Sequence, residues 1–277
     1  MSPLPNPPQD AWQILAFHYG ENPARRRRDS FAFASRPDDP HPMDFYFWVL
    51  RRGENVIVVD TGMDHKEAAR RQRAIRQEPA EMLGAVGIDP ASVRTVVITH
   101  LHFDHAGCLD VFPNATFHIQ AEELRVATGE LMANPVLGMP YTTAHVTRMV
   151  ELVHERRAKV HDGDAAIADG VTGHLVGGHA RGLMGLIVRA TRGSVVLASD
   201  VAHFYEQLTS DALFNIVIDP EAMVAGYHWA LAHGGSLDRI LPAHDPLIRR
   251  AYPEVAPHIF DLSAAPSFSI QTEIEAP

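Results

Sequence analysis

Three imidazoles and a carboxylate fall within six positions of this chain, in Thr99-His100-Leu101-His102-Phe103-Asp104-His105-Ala106-Gly107. The apolar run before them, Val93-Arg94-Thr95-Val96-Val97-Ile98, reads as a buried strand, so the cluster stands at a sheet rim. Nitrogen and oxygen donors at that density suit zinc, and iron, manganese and cobalt accept the same set. A solvated histidine-rich turn would not sit directly on a buried strand. In extended backbone His100, His102 and Asp104 share one side, and His105 follows at the chain reversal. One closed tetrahedral site would not take four ligands from one short loop. The expectation is two adjacent metals that draw further ligands from distant segments.

Such ligands should sit just past a strand, in a turn. His179 lies in Gly177-Gly178-His179-Ala180-Arg181-Gly182, after the apolar Leu175-Val176. Asp200 ends the buried-strand pattern Ser194-Val195-Val196-Leu197-Ala198-Ser199. His244 lies in Ile240-Leu241-Pro242-Ala243-His244-Asp245-Pro246. Each alone is weak, since a lone His or Asp after a strand is more often structural. Ordered behind the first cluster, they reinforce one another.

With these residues in place the chain resembles the metallo-β-lactamase superfamily, from about Asp44 to about Tyr252. Val56-Ile57-Val58-Val59-Asp60-Thr61-Gly62 is similar to that family's first motif, in which the Asp supports the metal loop from behind. The resemblance implies that His100, His102 and His179 hold one metal and that Asp104, His105 and His244 hold the other. Asp200 would bridge the two together with a hydroxide. Within the superfamily the chain looks most like the N-acyl homoserine lactonases, the quorum-quenching enzymes. Several of these carry a Tyr three positions after the bridging Asp, facing the substrate carbonyl. Here His203 stands there, with Tyr205 two residues on, so either is a candidate oxyanion donor. Asp104 is the candidate proton carrier to the leaving oxygen.

The implied reaction is opening of a lactone ring. Asp200 argues against a true β-lactamase, which has Cys or Ser at that place. A glyoxalase-type thioesterase shares the ligand set but adds a basic C-terminal region, of which only Arg249 and Arg250 remain. A metal-containing protein that binds a metabolite and signals by contact is the non-enzymatic alternative.

A chain of 277 residues with 46% hydrophobic content supports a sizeable core. A repeated strand–helix pattern without a clear linker favours one domain over residues 1–277. The expected class is α/β, a four-layer αββα sandwich of two packed mixed β-sheets flanked by helices. The net charge of −10 argues against nucleic-acid binding. The single cysteine, Cys108, excludes an intrachain disulfide and fits a reducing compartment. No apolar stretch is long enough to span a bilayer, and residues 1–10 are Pro-rich without an apolar signal core, so a cytoplasmic protein is expected.

Strands are expected at Ala11 to Phe17, Met43 to Leu50, Asn55 to Asp60 and Ala115 to Ile119. Later strands are expected near 158–161, 171–176, 184–190, 194–199 and 238–241. Helices are expected over Asp64 to Gln77, Glu81 to Gly87, Ala121 to Thr128 and near 220–233. The stretch 129–155 reads as irregular and Met-rich, in a place suited to a lid or pocket insertion. Its Leu131, Met132, Val136, Leu137, Met139 and Tyr141 would either line an apolar pocket or pack an inserted helix, and His145 is the candidate for an added substrate contact. Arg25 to Arg28 reads as a solvated basic loop, with an anion site as the alternative, and Arg181 as a surface salt-bridge residue, with a contact to a carboxylate or amide oxygen as the alternative. The arm 1–10 and the tail 253–277 are candidate contacts of a homodimer, and the expected partner is a small lactone.

Overall fold

The computed structural model describes Leu4 and residues 8–275. Its strands are β1 (Gln13–Asn22), β2 (Met43–Arg52), β3 (Asn55–Val59), β4 (Ala74–Ile75), β5 (Thr95–Val97), β6 (Thr116–Gln120) and β7 (Ala158–His161). They continue with β8 (Ala165–Ala168), β9 (Val171–Leu175), β10 (Met184–Ala190), β11 (Gly193–Ser199), β12 (Ile240–Pro242), β13 (Glu254–Ala256) and β14 (Ile259–Asp261).

Two mixed sheets result, in the order β13-β14-β1-β2-β3-β5-β6-β7 with β4 beside β1, and β12-β11-β10-β9-β8. In the first, β1, β2 and β3 pair antiparallel, whereas β3, β5, β6 and β7 are parallel. In the second, only the β11–β12 pair is parallel. The central strands β1 and β2 are buried on nearly every residue, as strands covered on both faces must be. One apolar cluster runs through both sheets, from Ile14 and Trp48 to Leu197 and Leu241. Helices flank the sheets: Pro220–Gly234 lies against β11, Thr143–His154 against β7, and Ala121–Ala127 against β6. The expected α/β sandwich is present.

Topology places the chemistry. The strands β3, β5, β9, β11 and β12 all end at the same rim, where Asp60, His100, His179, Asp200 and His244 follow. A backbone hydrogen bond from Met184 N to the Thr99 carbonyl, 3.0 Å, joins the two sheets there. Gly107 closes the metal loop onto the chain after β3. Its N–H donates to the Gly62 carbonyl at 2.7 Å, and a β-carbon at Gly107 would lie 2.5 Å from that oxygen.

Several boundaries differ from expectation, for physical reasons. The helix expected over Asp64 to Gln77 spans only His65–Arg71. Asp64 does cap it, accepting from Glu67 N at 2.7 Å, but Gln72 turns left-handed and the chain adds β4 to the edge of β1. The stretch 129–155 is half regular, because Thr143–His154 forms a helix with Val146, Met149 and Leu152 inward. The tail after Pro253 is no loose arm: β13 and β14 form a hairpin paired to β1, and Ile270–Glu275 is helical. Of the Pro-rich arm, residues 1–3 and 5–7 lie outside the described residues, and Leu4 is buried. No helix among the described residues is long and apolar enough to cross a membrane.

Glu67 ties the helix His65–Arg71 to the helix Thr143–His154. Its buried carboxylate accepts from Arg70, from Arg71 at 2.8 Å and from Thr142 Oγ1 at 2.7 Å. Burial opposes its charge, but the Arg70, Arg71 and Thr142 hydrogen bonds outweigh burial and hold it at about 2, below the ordinary 4.5. Its stabilisation is therefore complete above about pH 4.5 and is lost as the pH falls toward about 2. We expect Glu67→Gln to cost about 1–2 kcal/mol near neutral pH. In urea unfolding the gap between wild type and variant should hold steady from pH 6 to about pH 5 and shrink from there to pH 3, and a pH-independent gap would contradict this role.

Candidate metal centre

Five histidines and two aspartates converge at the rim, all buried. His100, His102, His179 and Asp200 offer ligand atoms within 4.8 Å of one another, and so do Asp104, His105 and His244. Asp200 lies between the groups. Its Oδ2 is 3.1 Å from His179 Nε2 and 3.6 Å from His100 Nε2. Its Oδ1 is 3.1 Å from His244 Nε2 and 3.3 Å from His105 Nε2. Asp104 faces the second group, 3.9 Å from His105 Nε2 and 3.8 Å from His244 Nε2. The period-two reading that put Asp104 beside His100 and His102 is corrected here. The chain turns after His102, whose carbonyl accepts from His105 N and Ala106 N, and this carries Asp104 and His105 across.

The protein fixes which imidazole nitrogen faces inward. His105 Nδ1 bonds Asp60 at 2.7 Å, His179 Nδ1 the Ile216 carbonyl at 2.7 Å, and His244 Nδ1 the Asp44 carbonyl at 2.8 Å. His100 Nδ1 lies 3.1 Å from Thr99 Oγ1. Each therefore turns Nε2 into the site, the orientation that outer hydrogen bonds impose on metal-ligating histidine. His102 is turned the other way, with Nδ1 inward 2.9 Å from His179 Nε2 and Tyr141 edge-on to its ring.

Asp60 does more than hold His105. Its carboxylate also accepts from Thr99 N at 2.8 Å and Thr99 Oγ1, and Ser199 Oγ lies 3.0 Å from Thr99 Oγ1. Asp60 and Ser199 both take positive φ, 61° and 50°, where L-residues are strained. Glu123, which sequence reasoning missed, joins two ligand loops from behind. It accepts from Leu101 N at 2.8 Å and Gly182 N at 3.1 Å, and from Tyr141 Oη. The available signal was its place directly past β6, like the ligands past their strands.

The electrostatics fit cations. Burial, then the neighbouring imidazoles, push His100 and His102 well below the ordinary histidine value, so both are neutral donors. Burial also opposes charge on His105, but Asp200, Asp60 and Asp104 outweigh it and raise this imidazole. Among the described residues His100 Nε2, His105 Nε2 and Asp200 Oδ1 are buried without a hydrogen-bond partner, a costly state unless something else binds them. Donors about 3.3 Å apart are what a tetrahedral zinc with bonds of about 2.0–2.1 Å requires. The donor set thus fits divalent metal.

His203 joins this cluster, its Nε2 3.0 Å from Asp200 Oδ2 and its ring stacked on Phe214 at 3.5 Å. Burial pushes it to about 3, so it is a neutral imidazole at physiological pH. Tyr205 is not brought to the cavity. It opens the helix Tyr205–Ser210, fully buried, with Tyr252, Asp245 and Arg192 among its charged or polar neighbours. His145 lies in a separate cleft with Cys108 and Glu67, and Arg181 is exposed. Cys108 is buried and belongs to neither donor group, as a small core residue would.

The metal-facing cavity measures about 350 Å³ and is lined by His102, Asp104, His179, Asp200, His203 and His244 together with Phe45, Phe214 and Met139. Four arginines, Arg25, Arg28, Arg71 and Arg73, also line it. A small apolar annex of about 80 Å³ adjoins it, walled by Val136, Leu137, Met139, Ile216 and Ile218. Leu131, Met132 and Tyr141, also expected there, line neither space.

Comparison with known proteins agrees with this geometry. The family model described as "Metallo-beta-lactamase superfamily" matches residues 46–244, well over half of the chain. The N-acyl homoserine lactonase AttM of Azorhizobium caulinodans is 35% identical over 132 residues, 47% of this chain and 49% of its own length. The chain thus spans about half of that relative. The N-acyl homoserine lactonase of Bacillus thuringiensis is 26% identical over 193 residues, 63% of this chain and 70% of its own. Among solved structures, a quorum-quenching N-acyl homoserine lactone lactonase aligns with a TM-score of 0.74 at 20% identity, covering 89% of this chain and 97% of that one. The dizinc quorum-quenching lactonase AidC, with its product bound, aligns at 0.70 and 16% identity over 96% and 98%. At such identities the structures speak for the fold alone.

Removing the charge of Asp60 should release His105 from its fixed orientation. We expect Asp60→Asn to weaken metal binding about 10–100-fold, measured by competition with a chromophoric chelator. Unchanged affinity would show that Asp60 serves the fold and not the metal loop.

Proposed function

The chain belongs to the metallo-β-lactamase superfamily, and from that premise we propose that it is a dinuclear metal hydrolase that opens lactone rings, such as those of N-acyl homoserine lactones. The observation that carries this reading is the Asp200 carboxylate, with one oxygen toward each donor group. The named activities of the lactonase relatives support the substrate class.

His100, His102 and His179 would hold one cation, Asp104, His105 and His244 the other, and Asp200 both. Zinc is the first choice, with iron, manganese and cobalt acceptable to the same donors. Bound divalent metals lower the pKa of a water from about 15.7 toward about 7 and polarise a carbonyl. The residues supply the rest. The water oxygen bonds to the carbonyl carbon, the ring C–O bond breaks, and the ring oxygen leaves as an alcohol. Asp104 takes a proton from the water at its free carboxylate oxygen and returns it to the ring oxygen. The second water proton is released as the new carboxylic acid ionises. His203, held against Phe214, donates an N–H to the carbonyl oxygen as negative charge gathers there. Tyr205, away from the cavity, takes no part. Val136, Leu137 and Met139, from the stretch 129–155, would contact the substrate's apolar portion.

Proton release in weak buffer tests this directly. The panel comprises short and long acyl-homoserine lactones, simple γ- and δ-lactones, a glutathione thioester and a β-lactam. Lactone turnover should fall about 10²–10⁴-fold in Asp104→Asn. It should fall about 10²–10³-fold in His203→Ala. Turnover of the thioester alone would replace the lactonase reading with a thioesterase, and full lactone turnover in His203→Ala would remove the oxyanion role.

A further inference from the structure

The mouth of the metal cavity is unusually cationic for a chain of net charge −10. Of the four arginines that line it, two are committed elsewhere: Arg28 pairs with Asp38, and Arg71 with Glu67 at 2.8 Å. Arg25 and Arg73 are half-buried and have no carboxylate partner among the described residues.

Arg25 is built into place. Its Nε donates to Ser30 Oγ at 3.0 Å, a second N–H goes to the Asp29 carbonyl, and its guanidinium lies 5.3 Å from the Phe214 ring centre. Phe214 is the residue on which His203 stacks, so Arg25 sits one ring away from the reacting centre. Backbone bonds from Ala32 N to Leu213 O and from Asn215 N to Ser30 O hold the two segments together. Asp29, the one carboxylate of the lining that is no metal ligand candidate, accepts from Arg26 N at 2.9 Å and acts on Arg25 through space without an ion-pair contact. Arg73 arrives from another direction, through the left-handed Gln72 and the short β4. Among the described residues its only side-chain hydrogen bond is to the neighbouring Gln72 carbonyl at 3.4 Å. Burial, with Arg73 adding to it against Asp29 and Asp104, brings Arg25 down to about 10.

Two half-desolvated guanidinium groups that make no ion-pair contact among the described residues, from separate elements, facing one cavity, are a receptor for an oxyanion. A neutral acyl amide would leave both unmatched. We infer that Arg25 and Arg73 form a carboxylate-binding subsite, and that the preferred lactone is compact and carries a carboxylate on or next to its ring. This rests on the lactonase reading for the word lactone, but the subsite itself stands on the arginines. The cavity of about 350 Å³ and its small apolar annex suit such a molecule better than a long acyl chain.

The test uses ring ketones, which bind as lactone mimics but cannot be opened. Calorimetric titration of metal-loaded protein compares 3-oxocyclopentane-1-carboxylate with 3-methylcyclopentanone, and with the matching 3-oxocyclopentane phosphonate. The carboxylate should bind at least about tenfold more tightly than the methyl compound, and Arg25→Gln with Arg73→Gln should abolish that preference. Should the double variant melt early, Arg73→Gln alone carries the test, since it breaks no bond to another element. A preference that survives the substitutions would place the carboxylate on the metals and overturn the subsite. Equal binding of the carboxylate and methyl compounds would also overturn it, and a preference for the phosphonate over the carboxylate would overturn the assignment to carboxylate. Failure of the whole lactone panel beside an arginine-dependent preference here would remove the lactonase reading and leave the subsite standing.

Discussion

One buried carboxylate organises this molecule. Asp60 ends β3 and reaches into the junction of the two sheets, where it meets Thr99 after β5, His105 in the metal loop and, through Thr99, Ser199 at the end of β11. An ionised group in that position would be expensive without strong hydrogen bonds. Here Thr99 N, Thr99 Oγ1, His105 Nδ1 and Ser199 Oγ surround it, and the cost is offset by the order it imposes. The left-handed backbone at Asp60 and at Ser199, each worth about 1–3 kcal/mol of strain, is tolerated because the same node holds both.

The rest of the site follows from that junction. Once the two sheets are locked at their rims, each ligand loop leaves the end of a strand in a fixed direction. Backbone carbonyls of Ile216 and Asp44 then set the His179 and His244 rings, as Asp60 sets His105. The outcome is a crowd of imidazoles around Asp200 and Asp104, with buried atoms that nothing among the described residues satisfies. Such an arrangement is unfavourable on its own and favourable around divalent cations. The substrate-facing side is equally unbalanced, since Arg25 and Arg73 await an anion.

Much of this was legible in the sequence, because both the strands and the ligands announce themselves locally. A buried run followed by alternating histidines marks β5 and the metal loop, and similar runs mark β9, β11 and β12. The grouping of the ligands came from family resemblance, since strand periodicity alone put Asp104 on the wrong side of the turn at His102. Elements held by tertiary contact were not legible. Strand β4 is two residues long, and β8 is Ala165-Ala166-Ile167-Ala168, with little β-branching to signal a strand. The hairpin β13–β14 exists because β1 offers it an edge. Arg25 and Arg73 look like solvent-facing charges in one dimension. Only the close return of the chain at β4 and the lacing of Ser30 to Asn215 bring them to the cavity.

The central claim is that the two donor groups joined by Asp200 each hold a cation. Its most direct test is the number of zinc equivalents taken up per chain by demetallated protein, followed calorimetrically and checked by elemental analysis after gel filtration. Two equivalents per chain, reduced to one in His105→Ala, is the result this account predicts. A saturable uptake of one equivalent, or none, in the wild-type protein would contradict it.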